Sequence, residues 1–225
     1  MSKLISRHSE WGAVAKELNA EKLKLASYDG PLLDQLGNVA GKKILDYGCG
    51  PGVLALALAK LGADIRVFDI DPKMLIFAGE KIGQDKVYTK AVDIPSSFFD
   101  VVICNLVLCI NPDDEVRRIA QNIKKELKSG GTSYVGFCNP KIFDVPESRL
   151  DIRFFTGNKY EENHRYRKMK KEGWYEIVED HRPIEWYENI FSECGLKIIG
   201  RHFTPEYEFN GRKINDFVIL EFVKV

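Results

Sequence analysis

Gly48, Gly50 and Gly52 alternate shortly after an acidic residue, Asp46, and directly before an apolar, alanine-rich segment, Val53-Leu-Ala-Leu-Ala-Leu-Ala-Lys60. Glycine costs conformational entropy, so three in five positions imply positive φ or close approach of backbone to a ligand. The short apolar run Ile44-Leu45 reads as buried strand, and the segment after the glycines as helix. A helix N-terminus behind such a turn presents unpaired N–H groups and a partial positive charge. The loop therefore suits a nucleotide-like or carboxylate-bearing ligand. Counting removes two specific nucleotide loops. A dinucleotide fingerprint G-x-G-x-x-G would need a glycine where Val53 stands, and a P-loop would need Gly-Lys-Ser/Thr. Cys49, inside the loop, reads as a small space-filler, because covalent cysteine chemistry needs a nearby base and none can be placed.

The elements around this loop alternate. Lys43–Tyr47 is expected as a first strand and Val53–Leu61 as its helix. Ala63–Asp69 follows as a β-branched strand with a terminal acid, and Pro72 opens a helix through Ile82. A short strand over Lys86–Lys90, a loop over Ala91–Phe98 and a strand over Phe99–Asn105 come next. Asn111-Pro-Asp-Asp then starts a helix with cap, proline and first-turn acids. Gly131–Cys138 is a fifth strand. Alternating strands and helices give a parallel sheet covered on both faces, with ligands beyond the carboxyl ends of the strands. Leu196–Thr204 and Asp216–Val225 are two final strands with no helix between them, hence antiparallel; the polar stretch Pro205–Ile214 joins them as a loop. The expected fold class is α/β, a seven-stranded, mostly parallel, doubly wound sheet ending in an antiparallel hairpin. Residues 8–36 read as helical, with Trp11 or Tyr28 placed to close over a ligand. The expected organisation is one domain: a helical lid over 1–40, a ligand-binding core over 41–138, a covering insertion over 139–182 and a terminal helix and hairpin over 183–225.

Composition narrows the class. The 225 residues carry a formal net charge of +0, with 44% hydrophobic and 29% charged residues, so no global field draws the chain to nucleic acid or an anionic membrane. No apolar run reaches transmembrane length, and the polar N-terminus is not a signal peptide. Five cysteines without CxxC spacing read as free, mostly buried thiols of a reducing cytoplasm, with no metal site.

The order Asp46-Tyr-Gly-Cys-Gly-Pro-Gly52, Val67-Phe-Asp-Ile-Asp-Pro72, Phe99-Asp-Val-Val-Ile-Cys-Asn105 and Leu127-Lys-Ser-Gly-Gly131 resembles the Rossmann-like (class I) methyltransferases that use S-adenosylmethionine, across about residues 40–138. The resemblance does not name a subfamily. It implies S-adenosylmethionine as donor and S-adenosylhomocysteine as product. It implies that Asp46 orients the loop and the ligand's ammonium group, and that Gly48, Cys49, Gly50 and Gly52 cradle the methionine moiety and ribose. Asp69 would accept hydrogen bonds from the ribose diol and Ile70 would pack on adenine. Asp93 and Ile94 would sit at the adenine edge, and Asn105 at the methionine end. Asp71 reads as a helix cap.

Methyl transfer from a sulfonium asks the protein to align a nucleophile and exclude water, with a base where the acceptor is oxygen or nitrogen. Candidates for that chemistry are His181, His164 and Tyr166, with Arg182 and Glu185 beside them. The run His164-Arg-Tyr-Arg-Lys-Met-Lys-Lys171 reads as a solvated basic face or as a surface for an anionic substrate or RNA. Acids on both sides dilute its field and weigh against nucleic acid. The expected activity is methylation of a small-molecule acceptor at oxygen or nitrogen by a monomer or homodimer. The alternatives are RNA or protein methylation, or non-methylating S-adenosylmethionine binding.

Overall fold

The computed structural model describes residues 3–6, 8–18, 28–155 and 157–225. Seven strands form the main sheet. In chain order they are β2 (Lys43–Tyr47), β3 (Asp64–Phe68), β4 (Val87–Tyr88), β5 (Phe99–Asn105), β6 (Leu127–Cys138), β10 (Leu196–Phe203) and β13 (Phe217–Lys224). The spatial order is β10-β13-β6-β5-β2-β3-β4. Pairings from β4 through β6 are parallel, and β13 is antiparallel to both β6 and β10. The expected architecture is therefore present, including the terminal hairpin.

Successive residues of a strand face opposite sides, and the central strands use this to build two cores. Ile44, Val101 and Ile103 pack with α2 (Gly30–Leu36), α3 (Val53–Lys60) and α4 (Pro72–Ile82). Leu45, Val102 and Cys104 pack with α5 (Asp113–Glu126) and α6 (Ile184–Glu193). Each fully buried Leu, Ile, Val or Phe contributes about 1.5–3 kcal/mol, so the sheet is held from both sides. Asp71 caps α4 as expected, its Oδ1 accepting from Lys73 N at 2.9 Å with Pro72 in the first turn. Asn111 does not cap α5. Pro112 takes the cap position, and the Asn111 side chain donates instead to Val107 O at 2.7 Å.

Three regions depart from expectation. The N-terminal stretch opens with a strand, β1 (Lys3–Ile5), that sequence reading missed, followed by a 3-10 turn over His8–Val14 and the short α1 (Ala15–Leu18). The part of the expected helix at positions 19–27, with Leu23 and Leu25, lies outside the described residues. The insertion is a second sheet, ordered β1-β9-β8-β7, from β7 (Asp151–Phe154), β8 (His164–Lys170) and β9 (Tyr175–His181). The run expected as a solvated face is β8 itself: Tyr166, Lys168 and Lys170 point inward and are buried, while Arg165 and Arg167 point outward. Finally, the joining loop contains a hairpin, β11 (Tyr207–Phe209) with β12 (Arg212–Ile214), turning on Asn210 (φ 49°) and Gly211 (φ 73°). Both central residues have positive φ, which an Asn-Gly pair tolerates best. Ile214 anchors it against Ile142 and Val145.

Candidate active site

The carboxyl ends of β2, β3 and β5 converge on one cavity of about 390 Å³, and the small sheet supplies the rest of its wall. Gly48 and Gly50 line it. Gly50, at φ 51°, has nothing within 4 Å where a side chain would stand. Gly52, at φ 76°, does not reach the cavity; a Cβ there would lie 2.8 Å from Ala78 Cα, so its task is packing α3 against α4. Cys49 is buried beneath the loop, its thiol donating to Gly50 O at 3.3 Å. Asp46 is also buried below the loop rather than on the wall.

Asp69 stands on the wall just beyond β3. Its Oδ2 accepts from Gly50 N at 2.8 Å and its Oδ1 from Asp71 N at 2.9 Å. These two backbone N–H groups, one from the glycine loop and one from the turn before α4, fix the carboxylate on the wall. Ile70 is next to it, 55% exposed, an apolar side chain on the wall beside Phe68 and Met74. The structure does not bring Asp93 to the cavity. It is exposed on a 3-10 turn, and Ile94 is in the core; Thr89, Lys90 and Ala91 reach the wall instead. The short 91–98 segment leaves no length for Asp93 to turn back.

Asn105 ends β5 on the wall, donating to Asp29 Oδ1 at 3.0 Å. Its Oδ1 lies where a Cβ on Gly136 would sit, at 2.1 Å, so Gly136 is the residue that makes room for it. Leu106 follows at φ 61°, a conformation that costs a non-glycine residue about 1–3 kcal/mol. Its N–H is held by Gly136 O at 2.7 Å, and the bend carries Val107, Cys109 and Ile110 along the cavity.

The far wall is polar. Lys168, Lys170, Tyr175, Ile177 and Glu179 project from the inner face of the small sheet, joined by Cys138 at the end of β6. Lys168 is fully buried; its ammonium donates to Cys138 Sγ at 2.8 Å, contacts Glu179 and lies 3.4 Å from Asp151. Lys170 pairs with Asp151 at 2.7 Å. Burial alone would push Asp151 up, but the Lys168, Lys170 and Arg153 cations outweigh it and hold the carboxyl well below the usual range. Burial opposes charge on both lysines too, yet Asp151 keeps each ammonium protonated. Near the N-terminal segment, Glu172 accepts from Tyr28 at 2.5 Å and Tyr175 at 2.8 Å, so one carboxylate ties the β8–β9 connection to the segment before α2. Trp11 and Tyr28, one or the other of them expected over a ligand, both line the wall.

The expected proton-transfer residues are elsewhere. His164 and His181 are cross-strand partners, stacked at 4.6 Å, with His181 also 5.0 Å from Phe143. Burial lowers the His181 pKa, and its Nε2 faces Tyr160 O at 2.9 Å. His181 and Tyr166 border a void of only about 10 Å³, on the other side of the Cys138–Glu179 group from the main cavity. Arg182 is buried and structural: it binds Asp113 at 2.7 Å and Asn111 O at 2.7 Å, holding the turn that lines the cavity. Glu185 is exposed and paired with Tyr160 and Arg201. Sequence reading missed Lys168, Lys170 and Glu179. Their signal was the shared parity of Tyr166, Lys168 and Lys170 in β8 and of Tyr175, Ile177 and Glu179 in β9, which places them on one face of each strand.

Comparison with known proteins agrees with this geometry. Residues 45–135 match a family described as a methyltransferase domain. The chain is 35% identical over 97 residues to a ribosomal protein L11 methyltransferase of Laribacter hongkongensis, covering 40% of this chain and 31% of that protein. It is 33% identical over 119 residues to a ubiquinone biosynthesis O-methyltransferase of Cupriavidus pinatubonensis, covering 49% of this chain and 47% of that one. The chain thus spans less than half the length of these two relatives. An S-adenosylmethionine-dependent methyltransferase structure from Mesorhizobium loti superimposes with a TM-score of 0.63 at 19% identity, covering 86% of this chain and 96% of that one. The strand order and the loop after β2 are those of the class I, Rossmann-like fold, and within it residues 45–135 match a methyltransferase domain.

Proposed function

We propose that the protein transfers a methyl group from S-adenosylmethionine to a small-molecule acceptor at oxygen or nitrogen. One observation carries this reading: a single cavity runs from Asp69 and Ile70, past the glycine loop and Asn105, to the polar inner face of the small sheet. The wall fits the donor's chemistry. Asp69 offers acceptor oxygens for a ribose diol, Ile70 and Phe68 offer apolar surface for adenine, and Thr89 to Ala91 border that end. Gly48 and Gly50 admit backbone close to the methionine moiety, with Asn105 beside it. S-adenosylmethionine, when bound, supplies an already activated methyl on a sulfonium.

The chain's own residues then position the acceptor and exclude water. The small sheet acts as the lid, closed onto the N-terminal segment through Tyr28, Glu172 and Tyr175. Glu179 is the carboxylate placed to take a proton from an oxygen or nitrogen acceptor, and Lys168 beside it balances the charge. His181 and His164 support the lid from behind. A small acceptor is favoured over RNA because Arg165 and Arg167 outside the lid are paired with Asp180 and Glu176, at 2.8 and 3.4 Å. One of the relatives is by name a small-molecule enzyme.

The test is titration calorimetry with S-adenosylmethionine followed by detection of S-adenosylhomocysteine with pools of small hydroxyl and amine acceptors. Asp69→Ala is expected to weaken donor binding roughly 10–150-fold, the loss of one charge-assisted hydrogen bond at about 1.5–3 kcal/mol. Unchanged affinity would remove the ribose role and with it the donor's orientation.

A further inference from the structure

Cys109 and Cys138 come from different elements: the 3-10 turn Leu108–Ile110 after β5, and the last residue of β6. Their sulfur atoms lie within 4.8 Å of each other and of a Glu179 oxygen. Lys168 already supplies a cation to two members of this group, Cys138 at 2.8 Å and Glu179, so the arrangement does not call for a metal ion. What remains is a pair of neighbouring thiols in unlike surroundings, on the wall of a cavity that a small oxidant can enter.

We propose that Cys109 and Cys138 are a reversible oxidation site, closing to an intramolecular disulfide at the acceptor end of the cavity. The two sulfurs divide the work. Cys138 is partly accessible and its sulfur faces the buried ammonium of Lys168, so it is the sulfur that an oxidant in the cavity meets first. Cys109 is buried; its hydrogen bond to Cys138, and then burial itself, hold it protonated. Hydrogen peroxide is the oxidant. The Cys138 sulfur attacks one peroxide oxygen, the O–O bond breaks, and the departing hydroxide takes a proton to leave as water. The resulting sulfenic acid is attacked by the Cys109 sulfur; the S–O bond breaks and a second water leaves with the Cys109 proton. Two thiols and one peroxide thus become one disulfide and two waters, with a dithiol reductant reversing the step. An S–S bond of about 2.05 Å draws the turn carrying Cys109 toward β6. That reshapes the wall where the acceptor would sit and leaves Asp69 and the glycine loop, on other elements, untouched. The site needs no methyl transfer to form, so its test is independent of the proposed activity.

The whole protein is treated with hydrogen peroxide under native conditions, its remaining thiols are alkylated, and unreduced peptides are mapped by mass. The free thiols are expected to fall from five to three, with Cys109 linked to Cys138 within one chain and the loss reversed by dithiothreitol. Cys194→Ser should leave the link intact, whereas Cys109→Ser and Cys138→Ser should each abolish it. Lys168→Met should slow its formation at least tenfold. Five thiols surviving excess peroxide would overturn the proposal. So would a link between other cysteines, or oxidation of Cys138 to sulfinic acid with Cys109 still free. The wild-type map decides the matter even if a variant fails to fold.

Discussion

Glu126 closes α5 with its side chain almost wholly buried, and burial pushes its pKa up to about 8. Lys125 pulls the other way and does not offset this. In the unfolded chain the same group titrates near its ordinary 4.5. Between those values the folded protein holds a proton that the unfolded chain has released. Stability should therefore fall as pH rises from about 4.5 to about 8, by on the order of 1 kcal/mol per pH unit from this residue, and level off above. Glu126→Gln should flatten that slope, so the variant gains on the wild type most at the alkaline end. Urea unfolding of both proteins across this range measures the difference; parallel curves would show that the carboxyl is solvated. Neither burial nor pKa could be foreseen here, because Glu126 falls at the end of a helix among lysines, a position that reads as solvent-facing. Asp71 is the opposite case. Its cap role was legible because the residues that decide it, Pro72 and Lys73, are its sequence neighbours.

At the scale of elements, the small sheet shows how alternation can mislead when both parities are charged. A count of Lys and Arg over 164–171 gives a basic run, but the strand sends Arg165 and Arg167 outward and Lys168 and Lys170 inward. The inward pair is compensated by Asp151 and Glu179 from the two flanking strands. Buried ions of this kind add little net stability while complete, yet removing one partner typically costs about 3–5 kcal/mol. Asp151→Asn keeps the shape and deletes the charge that Lys168 and Lys170 share. It is expected to lower unfolding free energy by roughly that amount, read as a reduced urea midpoint. A midpoint within error of the wild type would mean that water reaches the lysines. The stacked His164 and His181 belong to the same lesson. Each looked like a base on residue type, and the register of β8 against β9 turned them to face one another.

For the molecule as a whole, the cavity exists only because strand ends far apart in sequence are brought side by side. Its walls draw on the N-terminal segment, the loops after β2, β3 and β5, and the sheet built from the insertion. A ligand that bridges those walls stabilises the fold by mass action, about 2.7 kcal/mol at a hundredfold excess over its Kd. S-adenosylhomocysteine at that excess should raise the melting temperature by several degrees, roughly 2–4 °C per kcal/mol for a chain of this size. NAD should leave it unchanged, since the glycine spacing does not form a dinucleotide loop. A shift with NAD and none with S-adenosylhomocysteine would reverse the assignment of the cavity. Among the described residues no helix is long and apolar enough to cross a membrane.

The sequence by itself determined the sheet, its alternation with helices, the terminal hairpin and the glycine-loop end of the cavity. Those features rest on local periodicity and on glycines and acids a few residues apart, and short-range sterics and hydrogen bonding decide them. Only the tertiary structure decided the polar wall opposite the glycine loop. It showed that β1 completes a second sheet with β9, that Asp93 stays outside the cavity, and that Lys168, Glu179, Cys109 and Cys138 meet. Such meetings depend on strand register and on pairing across long stretches of chain. The electrostatics that keep Asp151, Arg153, Lys168, Lys170 and Glu179 buried together are set by neighbours in space, which no window of sequence contains.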